Sequence, residues 1–472
     1  MRLARPRLVL AGAALAAAAL LAAPLGIGVA CGERAPYQPH LVLVVCDALR
    51  ADHLELYGYG RATAPKLAAW AAGGLVFDRA TAPSNWTRPS MQSLLTGRQP
   101  SPDVLLAPEE KLPTDAATLA ERLEAAGYET AAVSANPFVS TALGANRGFD
   151  DFVDLGWKGS ERAGHWKEDI ASSFVLDRVE YLLSSRAQSG KPVFLYVHLM
   201  DTHLPYDPPA AQRGWVDPAY VGPIDGSREG YRALSSADAE HPLSAADQAQ
   251  AEALYDGEIA RLDEGLDRLR ALVAQHLKDR PVVTVVTADH GEAFGEPPLG
   301  VYMHGHGLGP ELLRVPLVIH GVRPQGRVGA RVGLVDLGPT LAQLGGASLG
   351  DDIDGLALIT RDGQLNAPPG RDLVAYRALT GEGTAAGELA VLRDQWRALR
   401  QGREWRLVED DNGEDMSLVH PEVVSACEEA AARWIITSRK RAEQGGAAAQ
   451  GERITLPEGA DEDLKALGYL GR

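Results

Sequence analysis

Cysteine is scarce: Cys31, Cys46 and Cys427 are the three in 472 residues, and they are widely spaced. That count and spacing exclude a disulfide framework. Cys46 lies in an apolar run and reads as a small core residue, while Cys427 lies in a helical pattern and reads as packing. Positive charge is also short, with 46 Lys and Arg against 63 Asp and Glu and a formal net charge of −17. No basic cluster outside the extreme N-terminus outweighs that balance. A groove for a nucleic-acid backbone is therefore excluded, as is generic attraction to anionic membranes. A small anionic ester is not excluded, because a local metal ion inverts the field around it. No repeat of fixed period is present. The glycines of Tyr57-Gly58-Tyr59-Gly60 do not make the G-x-G-x-x-G run of a dinucleotide site.

What is present is a chain long enough for one large α/β domain with a small appendage. The hydrophobic fraction of 45% supports a sizeable core, and 50 glycines with 30 prolines fit many turns. Arg2, Arg5 and Arg7 precede an apolar stretch from Leu8 to Ala30, the order of an export signal. That stretch, about 23 residues, is long enough to span a bilayer. Lipidation of Cys31, retention as a membrane anchor and simple cleavage stay open. All three expect the catalytic part outside the cytoplasm, in the periplasm or another extracytoplasmic space.

Apolar runs at His40–Cys46, Thr130–Ala135, Pro192–Leu199, Pro281–Ala288 and Val315–His320 read as buried strands. Helical patterns separate several of them, at Ala116–Ala126 and at about Ala249–His276. The expected fold class is α/β, with a mostly parallel central sheet flanked by helices. Residues 1–31 form the export segment, 38–345 the catalytic domain and 346–472 a small α+β subdomain. In that subdomain Trp396–Val408 reads as one or two short strands, and about Val423–Arg441 as a helix. Residues Pro208–Pro242, rich in Pro, Gly and Ser, read as an excursion able to cover a site.

Chemistry-bearing residues gather just after the strands, on the edge where open α/β sheets bind ligands. Asp47 follows the first run, and alone it reads as a metal ligand or a helix cap. Asp289 and His290 follow the Val-rich run and form an oxygen and nitrogen ligand pair suited to a divalent ion. His198, Asp201 and His203 cluster at another strand end, and His304 and His306 lie in His-Gly-His-Gly. Imidazoles there suit ester-oxygen binding and leaving-group protonation. Thr87 precedes Pro89 and an apolar helical stretch closed by Gly97. At a helix N-terminus its hydroxyl could be held as an alkoxide beside a cation and attack phosphorus or sulfur. The plain alternative is an N-cap.

The run from Asp47 to Pro100, DALRADHLELYGYG through SNWTRPSMQSLLTGRQP, resembles the sulfatase family of the alkaline phosphatase superfamily. HLMDTHLPYDPP, TADHGEAFGE and HGHGLGPELLRVPLVIHG resemble its later motifs in order, and the ending DLKALGYLGR resembles the tail of many members. The resemblance implies an alkaline-phosphatase-like fold. It implies one divalent metal ion (Mn, Ca, Mg or Zn) held by Asp47, Thr87, Asp289 and His290. It also implies Thr87 as nucleophile, with His203 and His306 as catalytic histidines. Two departures narrow the chemistry. True sulfatases carry a Cys or Ser converted to formylglycine in a C/S-x-P-x-R run, where this chain has Thr87-Arg88-Pro89-Ser90-Met91. The second of the family's paired aspartates is Ala48. The set resembles the threonine-using phosphotransferases of the superfamily. The expected function is hydrolysis or transfer of a phosphoester on a small-molecule, glycan or lipid substrate, with no nucleic-acid or protein partner. A sulfuric ester hydrolase without formylglycine and an inactive binding protein on the same scaffold are the alternatives.

Overall fold

The computed structural model describes residues 38–102, 109–156, 171–186, 189–297, 300–378, 387–410, 413–448 and 452–455. The export segment, Cys31 and the DLKALGYLGR tail lie outside them. Among the described residues no helix is long and apolar enough to cross a membrane.

The strands are β1 (His40–Cys46), β2 (Leu75–Thr81), β3 (Glu129–Ser134), β4 (Asp151–Asp154), β5 (Val193–Leu199), β6 (Val282–Thr287), β7 (Ala293–Phe294), β8 (Tyr302–Met303), β9 (Arg314–Val315), β10 (Leu317–His320), β11 (Gly326–Gly333), β12 (Leu373–Ala378), β13 (Gly387–Arg393), β14 (Trp396–Gln401) and β15 (Glu404–Glu409). A central sheet runs β11-β2-β10-β6-β1-β5-β3-β4, with β9 also on β2. β1 lies between β5 and β6, parallel to both, and every one of its residues is buried. Covered on both faces, such a strand has no polar face to show, hence the unbroken HLVLVVC run.

The sheet is mixed. β10 is antiparallel to both β6 and β2. The Val315–His320 run is broken at Pro316, which has no N–H to give a ladder, so Arg314–Val315 pairs with one part of β2 and Leu317–His320 with another. The helix Leu119–Ala125 starts later than its apolar pattern, at Thr118, whose side chain accepts from the Glu121 N–H in a capping box. The long helix Ala245–His276 begins at the Ser244 cap. The 208–242 excursion packs on that helix, where a side chain on Gly257 would meet the Gln212 carbonyl at 2.7 Å.

The C-terminal unit is a four-stranded antiparallel sheet, β12-β13-β14-β15, where the sequence suggests only one or two strands. The helix Pro421–Gly445 packs on it through Cys427 and Trp434, against Tyr376, Val391 and Leu407. This sheet is tied to the main one near the site. Ser84 Oγ donates to the Tyr376 carbonyl (2.7 Å), the Tyr376 N–H donates to the Pro83 carbonyl (3.0 Å), and Arg377 Nε donates to the Gly305 carbonyl (2.6 Å).

Candidate active site

β1, β3, β5 and β6 run parallel, and their carboxyl ends bring Asp47, Asn136, His198 and Asp289 to one edge. The helix Thr87–Thr96 adds its first residue. Trp86 is the N-cap and offers no side-chain cap, so Thr87 is not the capping residue. Its side chain is fully buried and turned to the cluster, with Oγ1 3.5 Å from His290 Nε2.

The protonation pattern of His290 follows from its contacts. Nδ1 is 2.8 Å from the Gly291 carbonyl, which can only accept, so Nδ1 carries the proton. Nε2 then presents a lone pair to Asp289 Oδ2 at 3.4 Å and Asp47 Oδ1 at 3.7 Å. Both of those carboxylate oxygens are buried with no hydrogen-bond partner. Three acceptors, Asp47 Oδ1, Asp289 Oδ2 and the His290 Nε2 lone pair, thus face one another in a buried cluster, which is costly unless a cation sits among them. Asp47, His198 and Asp289 can hold a metal ion, since one ligand atom of each lies within 4.8 Å of the others. His198 serves Asp47 first. Its Nε2 donates to Asp47 Oδ2 (2.9 Å), and its Nδ1 accepts from the Tyr196 hydroxyl (2.6 Å). With that imidazole nitrogen already donating, His290 is the better-poised nitrogen ligand.

The electrostatics agree with a site short of a positive charge. Burial pushes the Asp47 carboxyl up, but the His198 hydrogen bond and the nearby His203, His198 and His290 outweigh it and hold it well below its usual range. Burial and then the Asp47 charge raise the Asp289 carboxyl. Two like charges in one buried pocket cannot both ionise cheaply.

Backbone geometry is specialised around the ligands. Ala48 takes φ +55°, a left-handed conformation unusual for alanine, and its N–H donates to Asp289 Oδ1 (3.2 Å). The buried Tyr255 hydroxyl donates to the Ala48 carbonyl (2.7 Å) and accepts from the Arg50 N–H (2.9 Å), holding that turn. Met303, just before His304, is likewise left-handed at φ +64°. Gly291 has no alternative residue, because a side-chain carbon there would sit 2.0 Å from the Glu311 carbonyl oxygen.

Three histidine rings run away from the cluster: His290 to His304 at 4.6 Å between centroids, and His304 to His203 at 4.8 Å. His203 Nδ1 donates to the Leu204 carbonyl (2.9 Å), and burial lowers its pKa to about 4. Burial also works to lower His304, but the Glu292 charge and its 3.1 Å hydrogen bond prevail and raise it. Glu292 is itself held by the Tyr206 hydroxyl (2.7 Å). His304 thus stands in ring contact with both His290 and His203. His306 is half-buried beside Arg377, 3.4 Å from its guanidinium.

Asn136 was absent from the sequence expectation. Its Nδ2 donates to Asp47 Oδ2 and also reaches Thr87 Oγ1 (3.3 Å), while its Oδ1 accepts from the Phe138 N–H (2.7 Å). The strand-end rule that found Asp47 and Asp289 would have found it, since it stands two residues past β3. His198 was in a noted motif but without a role. Asp201, from the same motif, turns to structure instead, accepting from the Ser172 N–H (3.2 Å) at the start of the helix Ser172–Arg186.

A mixed, helix-flanked sheet with a buried hydroxyl and clustered carboxylates at its strand ends defines an alkaline-phosphatase-like architecture. The sulfatase family pattern matches residues 39–347, and the chain belongs to that family. No curated protein matches it by sequence. Among solved structures it is similar to the phosphonate monoester hydrolase of Agrobacterium radiobacter, at 18% identity and TM-score 0.65, covering 85% of this chain and 96% of that one. The phosphonate monoester hydrolase of Silicibacter pomeroyi is similar at 19% and 0.64, covering 84% and 95%. A 2-O GAG sulfatase is similar at 15% and 0.64, covering 89% and 96%.

Proposed function

We propose that this chain is a metal-dependent hydrolase or transferase of phosphoesters that uses Thr87 as its nucleophile. The observation that carries the reading is Thr87 Oγ1, buried 3.5 Å from His290 Nε2, beside the unpartnered Asp47 Oδ1 and Asp289 Oδ2. Asp47, Asp289, His290 and Thr87 would hold one divalent ion, with Mn, Ca, Mg and Zn all compatible with oxygen donors and one imidazole. Bound there, it supplies charge neutralisation to the hydroxyl and to a non-bridging ester oxygen. Asn136 orients the hydroxyl from the other side. The N–H groups of the first turn of Thr87–Thr96 offer donors to an anionic group. His203 and His306 are the histidines offered for a leaving-group proton, with His304 as their neighbour.

Threonine favours phosphorus over sulfur in this reading. A threonyl ester has no second hydroxyl on the same carbon to expel the transferred group, so a second displacement by water or an acceptor alcohol must release it. Similarity to two phosphonate monoester hydrolases supports the phosphorus side, and similarity to glycan sulfatases supports a small-molecule or glycan substrate. A lipid ester, as well as export with the site working outside the cytoplasm, belongs to the same proposal. Cell fractionation with mass spectrometry of the mature N-terminus tests the export part.

The central test is turnover of phosphomonoesters, phosphodiesters and aryl sulfates with each metal, in wild type, Thr87→Ala and Thr87→Ser. Thr87→Ala is expected to lose the covalent pathway while staying folded. Acid quench and mass spectrometry should find the intermediate on Thr87. Unchanged turnover in Thr87→Ala refutes the nucleophile, and robust aryl-sulfate turnover in wild type refutes the preference for phosphorus.

A further inference from the structure

Away from the Thr87 cluster, a narrow cleft opens at the seam between the main sheet and the C-terminal sheet. Arg79, Arg314, Arg331 and Arg397 line it, with Asp410 as the one carboxylate among the lining residues. The four guanidiniums come from four strands, β2, β9, β11 and β14. Arg79 and Arg331 are register partners on adjacent strands, where like charges repel.

Arg331 is satisfied, by Asp410, by the Thr81 hydroxyl (3.0 Å) and by the Asp394 carbonyl (2.7 Å). The others are not all so placed. Arg397 is 7% exposed and donates through Nη1 to the Leu308 carbonyl (2.7 Å), yet its Nε–H is buried with no acceptor. The Arg79 side chain forms no ion pair or hydrogen bond among the described residues. An exposed lone arginine needs no explanation. A buried guanidinium N–H without an acceptor, in a cleft lined by four arginines and Asp410 with Glu311 close to Arg397, does. Burial holds the Arg331 and Arg397 pKa values down; the Asp410 charge, and for Arg397 first the Glu311 charge, opposes it, and neighbouring guanidiniums add a smaller lowering.

We propose that this seam binds a tetrahedral oxyanion group, phosphate or sulfate, either as the free ion or carried on an ester. Planar guanidiniums match such oxygens with paired N–H donors. The site is separate from the nucleophile but not isolated from it. Arg397 holds the carbonyl two residues past His306, and β2 leads through Pro83 and Ser84 toward Thr87.

The test uses the metal-loaded full chain. Crystals soaked in selenate, a sulfate isostere with an anomalous signal, should show the ion at the seam. Titration calorimetry with inorganic phosphate, inorganic sulfate, glycerol phosphate and glucose 6-sulfate should show saturable binding. Free ions binding alone would assign the seam to the free ion, and equally tight esters would assign it to the ester group. Arg79→Gln, at a half-buried side chain with no partner to lose, should weaken that binding by about tenfold or more. Arg397→Met should do the same, with circular dichroism checking the fold. Selenate found only at the Thr87 and Asp289 cluster overturns the proposal and leaves the proposed activity intact. Unchanged affinity in Arg79→Gln, or occupancy by chloride alone, overturns it as well.

Discussion

Asn136 touches the Thr87 hydroxyl and the Asp47 carboxylate with one amide nitrogen. Removing that donor takes away one of the contacts that orient Thr87 and leaves Asp47 Oδ2 with His198. Asn136→Ala is expected to lower kcat by roughly 10–100-fold, the usual cost of losing a partner that orients ligands. Asn136→Asp should cost more, because it adds a third carboxylate to a site already rich in acceptors. Steady-state kinetics across a metal titration separates lost orientation from lost metal. His203 supports a second prediction, on stability. Its folded pKa is depressed to about 4 from 6.5, with burial the main cause. The unfolded chain therefore takes up a proton as pH falls through 6.5, while the folded chain does not until about 4. The stability contribution is present above 6.5 and is lost as pH falls between those values, reaching roughly 2 kcal/mol by pH 5. His203→Gln should flatten the loss between pH 7.5 and 5 in urea melts, and an unchanged slope would count against the buried neutral imidazole.

At the scale of elements, the sequence exposes what is buried on both faces and hides what is not. β1, β5 and β6 were legible because they lie inside a helix-covered sheet and read as unbroken apolar runs. β2 was missed because Asp78 and Arg79 interrupt LVFDRAT where the strand nears the sheet margin, and β11 because its GRVGARVG is half exposed. The direction of β10 was illegible, since hydrophobicity sets burial and not strand polarity. In the site, Asp47, Asp289 and His290 stood out by chemical type and strand-end position, and Thr87 by its place at a helix N-terminus. Asn136 did not, and His198 stood out only as a member of a strand-end cluster without a role, because their work is to hold other side chains. His304 and His306 are two residues apart in one loop, and only the fold, with Met303 in a left-handed turn, shows that the His304 ring meets His290. Gly291 shows how tightly that loop is built. Gly291→Ala would place a carbon 2.0 Å from a backbone oxygen, so the Asp289 and His290 loop or the Glu311 turn must shift. A loss of about 1–3 kcal/mol in denaturant melts is expected, together with weaker metal binding. Intact metal affinity in that variant would show that the loop tolerates the shift.

For the molecule as a whole, the C-terminal sheet acts as a buttress, since β12 anchors the Pro83 carbonyl and the Ser84 hydroxyl just before Thr87 and Arg377 anchors Gly305. The active-site edge is thus assembled from both sheets, and its stability is bound to its charge. Asp289 decides the sign. Burial and the Asp47 charge raise its pKa in the metal-free fold above the ordinary 3.8. A raised carboxyl means that the folded state holds the proton more tightly than the unfolded one. Metal-free stability therefore falls as pH rises from 3.8 through the raised value, and at neutral pH the folded chain carries a charge it would rather lose. Asp289→Asn removes that cost. The retained Oδ1 can still accept from the Ala48 N–H (3.2 Å) and the His290 N–H (3.0 Å). The new amide nitrogen would stand where Oδ2 lies, 3.4 Å from the His290 Nε2 lone pair, and could donate to it. In EDTA at pH 7.5, the variant is expected to melt above wild type. With a divalent ion in excess the order should reverse, because only wild type gains the stabilisation of binding, about 2.7 kcal/mol at a hundredfold excess over Kd. Differential scanning calorimetry of both proteins with and without Mn, Ca, Mg and Zn reads the crossing directly. A metal-free wild type that outlasts Asp289→Asn, or no crossing with any of the ions, would mean that these carboxylates are not held apart for a cation.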